Sequence, residues 1–364
     1  MAMMRSVHAP ISKRIATSAW SGASAVLCTV LLFPAACGRS PGTTGPREFQ
    51  KGVAYTGYSA TAYDGDRPLL SLDHLKQTNA SWISVLATGY QDTIHSTSIG
   101  FSGPGTPEDA SVERIIRYAH GLGLKVMLKP HVDLANDSQH YRGEIGPDFT
   151  PADWAAWFAS YRVFILRYAA MADRTGCELF CVGCELGTTA VHAAEWRRII
   201  ADVKETYPGP LTYADNQVES DPEAVTWWDA VDFIGQDVYP TLTQVVQPSV
   251  DDLLDGWISF RDKLRRLSDK WGKSVIMTEI GCRSVLGGAQ NPWDWQRQGP
   301  VDLTVQVNFY EAAFLAATGQ SWLTGMYWWQ WSPDPDDGGP EDAGYTPHAK
   351  PAEEVLRSWY LRLK

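Results

Sequence analysis

The chain has 364 residues, 44% hydrophobic and 20% charged, enough to bury one large core or two modest ones. A formal net charge of −11, without clusters of Lys and Arg, excludes a nucleic-acid surface, since phosphate binding draws on such clusters. Six cysteines are too few for a disulfide framework at this length, and they do not form the two C-x2-C pairs of a zinc ribbon.

Residues 1–36 read as an export signal. Arg5, Lys13 and Arg14 precede an uncharged stretch from Ile15 to Gly38. It closes on Pro34-Ala35-Ala36-Cys37-Gly38, small residues before a cysteine, as in a bacterial lipobox whose cysteine is lipidated and becomes the first mature residue. Pro34 stands where a lipobox usually has an aliphatic residue. The stretch is also long enough to span a bilayer, so ordinary secretion and an uncleaved anchor remain alternatives. Residues 37–47, dominated by Ser, Gly, Thr and Pro, read as a flexible tether. The expectation is an exported protein, at the cell surface through a lipid on Cys37 or extracellular, with one folded domain over 48–364, taken as a monomer.

From Gly52 the sequence alternates short β-like runs with helical periods. The predicted strands are Gly52–Tyr58, Trp82–Tyr90, Lys125–Val132, Cys177–Gly183, Leu211–Asn216, Val231–Tyr239, Ser274–Gly281 and Gly325–Trp331. Thr106-Pro107-Glu108-Asp109 and Thr150-Pro151-Ala152-Asp153 each offer a cap, a proline for the first helical position and an acid. Beyond them, Val112, Ile115, Ile116, Ala119 and Leu122, then Trp154, Trp157, Phe158, Tyr161 and Ile165, recur at helical spacing. Tryptophans at such spacing, Trp196 and Trp257 included, read as core. Eight strand–helix units without a domain break predict an α/β fold, a (β/α)8 barrel. Cys177, Cys181, Cys184 and Cys282 are open to a disulfide or to burial as free thiols.

In such a barrel the active site lies at the C-terminal strand ends. Those ends collect Lys129, His131 and Asp133, then Glu185, then Asp215 and Asn216, then Asp237 and Tyr239, then Glu279, and finally Trp328, Trp329 and Trp331. Glu185 and Glu279 close the fourth and seventh strands, nearly opposite each other, where two carboxyls can flank one bond. An acid after a strand also serves as a helix cap or an arginine partner. His131 and Asp133, with His140 following, lack a convincing third ligand, so no metal is expected. A serine-hydrolase elbow, a P-loop and a Rossmann fingerprint are absent, and no cofactor is expected.

The runs Val126–Asp133 with Tyr141–Ile145, Phe180–Leu186, Leu211–Asn216, Ile234–Pro240, Thr278–Gly281 and Gly325–Trp329 resemble, in order, glycoside hydrolase family 113, a group of β-mannanase-like retaining enzymes. The resemblance spans about Phe49 to Trp331 and implies that Glu185 is the general acid/base and Glu279 the nucleophile. It implies further that Tyr239 hydrogen-bonds the nucleophile, and that His131, Asp133, Arg142 and Asn216 line the sugar site. Lys129 and Asp237 complete the expected substrate-binding set. A tryptophan of the last strand would floor the site, with Trp329 and Trp331 favoured because alternation puts them on one side. Cys184 stands where the family usually has threonine and related groups have asparagine, and Gln217 where it tends to have tryptophan.

The expected function is a retaining endo-β-glycosidase acting on β-1,4-mannan or glucomannan by double displacement. The alternatives are an exo-acting β-mannosidase or another β-glycanase on the same scaffold, and a non-catalytic carbohydrate-binding lipoprotein. The segments His95–Gly105 and Arg283–Pro300 would decide between a cleft and a closed pocket.

Overall fold

The computed structural model describes residues 48–216, 221 and 223–363. The leader, the tether with Cys37, and Gln217 lie outside the described residues.

Eight parallel strands close into a barrel in sequence order. They are β1 (Gln50–Tyr55), β2 (Trp82–Gln91), β3 (Lys125–Leu134), β4 (Leu179–Cys184), β5 (Leu211–Asp215), β6 (Phe233–Val238), β7 (Val275–Ile280) and β8 (Leu323–Trp331). Around them lie α1 (Arg67–Lys76), α2 (Asp109–Gly121), α3 (Pro151–Thr175), α4 (Ala193–Thr206), α5 (Val250–Trp271), α6 (Leu303–Ala317) and α7 (Pro351–Arg362). The (β/α)8 expectation holds, with one departure from eight strand–helix units. Among the described residues, the link from β5 to β6 carries only a short 3₁₀ turn, Trp228–Ala230. Two bulky rings fill the helix layer there: Trp227 stacks on Trp196 of α4 at 5.0 Å, and both Trp227 and Trp228 are buried. No helix among the described residues is long and apolar enough to cross a membrane.

The strands are buried almost throughout, as expected of a parallel sheet covered on its outer face by helices and filled within by side chains. Trp82, Met127, Leu179, Cys181, Cys184, Ala214, Phe233, Ile276 and Tyr327 form the inner cluster. Tyr327 fits because residue 52 is glycine: a Cβ there would stand 2.4 Å from the Tyr327 ring. The stripe Val112, Ile115, Ile116 and Ala119 of α2 is buried as its periodicity predicts, and Trp196 and Trp257 are core.

Thr150 caps α3 in a full capping box with Asp153. Thr106 does not cap α2. That helix begins at Asp109 after an extended Glu108, while the Thr106 hydroxyl turns inward and donates to the Thr88 carbonyl at 2.7 Å. Satisfying a buried carbonyl of β2 wins over capping an exposed helix end. Cys177, Cys181, Cys184 and Cys282 are all free, buried thiols, so the disulfide alternative falls.

Candidate active site

Glu279 is the penultimate residue of β7 and Glu185 follows β4. Glu185 takes a left-handed backbone, φ 55°, a conformation costing roughly 1–2 kcal/mol for a residue with a Cβ. Two bonds hold that turn. The Glu185 N–H donates to the Ala214 carbonyl at 2.8 Å, and the Leu186 N–H to the Tyr213 hydroxyl at 3.1 Å. The turn lifts the Glu185 side chain, 14% exposed, toward the barrel mouth.

Glu279 is held from both sides. The Lys129 ammonium lies 2.5 Å from Oε1, and the Tyr239 hydroxyl donates to Oε2 at 2.8 Å. Lys129 in turn reaches both oxygens of Asp237, at 3.0 and 3.1 Å. Asp237 also accepts from Thr278 Oγ1 at 2.7 Å and from the Cys184 thiol at 3.3 Å. The side chains of Lys129 and Asp237 have no solvent exposure. These two residues, expected to touch sugar, instead form a charged base beneath Glu279. A lysine at that depth in the barrel is too far inside to meet a ligand but well placed to meet two carboxylates.

On the other side of the mouth, Arg142 lies 3.3 Å from Glu185 Oε2 and donates to His131 Nδ1 at 3.2 Å. An accepting Nδ1 leaves the proton of neutral His131 on Nε2. That buried Nε2 has no hydrogen-bond partner and stands 3.7 Å from Glu279 Oε1. The His131 ring is parallel to the half-buried Trp329 ring, 6.3 Å away. Asn216 lies beside the Glu185 and Tyr141 side chains, and its buried Oδ1 has no hydrogen-bond partner. Asp133 is half-buried at the rim, with Oδ1 accepting from the Leu134 N–H at 2.9 Å.

Trp331 is not in the site. Its indole donates to Ser71 of α1 at 3.0 Å and its ring meets His348 at 4.7 Å, in the outer layer. The expected alternation fails because β8 carries an extra residue there: Val53 pairs with Trp328 but Tyr55 with Trp331. Trp329 and Trp331 consequently face opposite ways, and the Trp329–Gln330 peptide is cis. Trp328 packs outward on Tyr310 at 3.6 Å.

Two tyrosines at the mouth were not predicted as site residues. Tyr58, after β1, is 48% exposed and lies near Glu279 and Arg142. Tyr141 is 45% exposed and lies near Glu185. Each precedes or follows a regular element, where periodicity carries no information; Tyr141 does fall inside the Tyr141–Ile145 run.

Burial would push the Lys129 ammonium down, but Asp237, Cys184 and Glu279 outweigh it and hold the lysine charged. Arg142 is likewise buried and held charged, chiefly by Glu185. Burial, Arg142 and Lys129 together push His131 well below the usual histidine range, so it is neutral. Burial raises the Glu185 carboxyl against the pull of Arg142. Burial and Asp237 raise Glu279, while Lys129 opposes them. Two cations thus face three carboxylates, and one shared proton neutralises the cluster. Burial raises both glutamates, Glu279 to about 8; Glu279 accepts from both Lys129 and Tyr239, whereas Glu185 has Arg142 at longer range. Burial raises the Cys184 thiol well above the usual range, leaving it a neutral donor to Asp237.

His131, Cys184 and Glu279, and separately Cys184, Glu185 and Asp237, bring possible metal-ligating atoms within 4.8 Å of one another. The Lys129 ammonium between Asp237 and Glu279 already supplies the positive charge those carboxylates need.

An acid and a carboxylate on strands four and seven, each held by its own cation, are the equipment for splitting a glycosidic bond. The model of Glycoside Hydrolase Family 113 matches residues 54–350. The chain belongs to glycoside hydrolase family 113. Family 113 structures agree with it over nearly their full length. One solved as a complex of a GH113 β-1,4-mannanase is 30% identical, with TM-score 0.77, covering 86% of this chain and 99% of that one. The GH113 β-mannanase AaManA from Alicyclobacillus acidocaldarius, in complex with ManMIm, is 34% identical, with TM-score 0.77, covering 87% and 98%. A β-glucuronidase from Ruminococcus gnavus, 14% identical with TM-score 0.59 and covering 86% of this chain and 50% of that one, shares the fold alone. A search of curated proteins finds no match. This family 113 member is a glycoside hydrolase.

Proposed function

We propose that the enzyme is a retaining endo-β-1,4-mannanase working by double displacement. The observation that carries this reading is the asymmetric pair: Glu279 anchored by Lys129 and Tyr239, Glu185 beside Arg142. The similarity to two β-mannanases of the same family supports the choice of polymer. In the first step Glu279 attacks the anomeric carbon while Glu185 passes its proton to the departing glycosidic oxygen. Ionised Glu185 then draws a proton from water, which opens the ester to Glu279 and restores the original anomer. The neutral His131, the Asn216 amide, Arg142 and Asp133 face the sugar hydroxyls, and Trp329 supports the ring beside His131. Cys184 changes the floor of that site. Its thiol points at Asp237, where related groups have an asparagine that binds the sugar 2-hydroxyl, so 2-hydroxyl recognition passes to Asn216 and Arg142.

The test is to incubate the protein with β-mannan, glucomannan, cellulose and xylan and follow product length and first-formed anomer by NMR. Release of the inverted anomer sinks the double displacement, and cleavage of cellulose or xylan in preference to mannan sinks the substrate. Only end-unit release would favour the exo-acting reading.

The leader pattern supports export with Cys37 lipidated. The mass of the N-terminal peptide of the mature protein decides this, since an unmodified or internally cleaved terminus rules it out.

A further inference from the structure

Residues 281–302 lead from β7, the nucleophile strand, to α6, on the same end of the barrel as Glu185 and Glu279. Within that segment Trp293 and Trp295 are 61% and 69% exposed. Every other tryptophan among the described residues is buried or half-buried. Scattered exposed apolar side chains need no explanation, but two indoles, the largest apolar groups available, two residues apart are unusual for a surface facing only water.

The backbone beneath them is fastened. The Arg283 guanidinium donates to the carbonyls of Trp295 at 2.7 Å and Arg297 at 2.6 Å. The Trp295 N–H donates to the Trp293 carbonyl at 2.9 Å, and Asp294 N–H to Asn291 at 3.0 Å. Arg297 closes the segment on Gln290 at 2.6 Å. A pinned turn with exposed rings pays little entropy when a ligand arrives.

The turn also connects to the catalytic centre. The Tyr345 hydroxyl donates to the Pro292 carbonyl at 2.6 Å. The Tyr345 ring sits edge-on to Tyr239 at 6.4 Å, and Tyr239 bonds Glu279. Trp293 therefore follows directly on a residue anchored two aromatic rings away from the nucleophile. That puts the turn beside the mouth on its β7 side, outside the residues that touch Glu279.

We propose that the Trp293–Trp295 turn is an outlying subsite that grips units of a β-linked glycan several residues from the scissile bond. The chemistry fits a neutral sugar, whose C–H faces cover an indole while its hydroxyls stay in water. The proposal rests on the polysaccharide reading above and adds to it a preference for long chains.

The full-length enzyme carrying Trp293→Ala, Trp295→Ala or both is assayed on soluble β-mannan and on mannotriose. The expected result is a rise in KM for polymer of about three- to tenfold per indole, the range of an aromatic stacking contact. The kcat on both substrates, and KM for mannotriose, should stay as in the wild type. Trp293→Phe and Trp295→Phe should recover part of the loss. Unchanged KM on the polymer overturns the proposal. So does an equal loss on both substrates, which would show that the turn only braces Tyr345 and Tyr239. A wild-type enzyme that cleaves no β-linked glycan overturns the proposal together with the reading beneath it, and that failure is visible before any variant is made.

Discussion

The ammonium of Lys129 lies 2.5 Å from Glu279 Oε1 and 3.0 Å from Asp237 Oδ1, with no solvent reaching it. Glu279 thus stands on a buried ion triad, in which one cation serves two carboxylates. Lys129→Met removes that cation and leaves two like charges facing each other in the barrel. The expected outcome is a loss of about 3–5 kcal/mol of stability, since breaking a buried pair strands its partners. Thermal unfolding checks this, and kcat should fall by at least roughly 100-fold, as for loss of one preorganised electrostatic group.

Tyr239→Phe leaves the ring packed on Tyr345 but removes the donor to Glu279 Oε2. A hydrogen bond to the charged form favours that form, so its loss raises the Glu279 pKa. The acid limb of the kcat profile should move to higher pH, with kcat at the optimum down by about 10²–10³ and KM little changed. An unmoved acid limb would show that Tyr239 does not act on the nucleophile.

Glu185 carries the opposite expectation, with consequences for stability as well as rate. Burial raises its carboxyl in the folded state, so the protein binds a proton there that the unfolded chain gives up. Stability from this group is fully present below the unfolded carboxylate range and is lost as pH rises through the raised folded value. Glu185→Gln, neutral at every pH, should therefore melt higher than the wild type at neutral pH, and the gap should close toward pH 4. Activity on unactivated glycans should vanish, and an aryl glycoside with a good leaving group should retain glycosylation, seen as a burst in stopped-flow absorbance.

Trp329 and Trp331 separate site from scaffold. Trp329→Ala should raise KM for oligosaccharides while the fold holds, because that ring is half-exposed beside His131. Trp331→Ala should instead cost about 3–5 kcal/mol of stability, as expected for emptying a buried indole. Its KM, measured at a temperature where the variant is folded, should match the wild type.

The barrel was legible because parallel strands under helices leave a strong signature: short apolar runs, each followed by a 3.6-residue stripe. Glu185 and Glu279 were legible for the same reason, as charges where an apolar run stops. Tyr239 and its bond to the nucleophile followed from the family resemblance and are present at 2.8 Å. Trp331 misled because strict alternation assumes an unbroken register, and one extra residue in β8 reverses the side chain. The Thr106 cap failed through competition, since a tertiary acceptor at Thr88 outbid the helix end. The short 3₁₀ turn that stands between β5 and β6 among the described residues left no mark in periodicity, because buried Trp227 and Trp228 read the same in a turn as in a helix.

The sequence by itself determined the order of strands and the two carboxylates that close β4 and β7, because these depend on residue type and on position along a regular element. Only the tertiary structure decided what each carboxylate touches. Lys129 and Asp237 lie 108 residues apart in the chain and meet only when the barrel closes. That closure excludes water and sets one buried lysine between Asp237 and Glu279, with Arg142 beside Glu185.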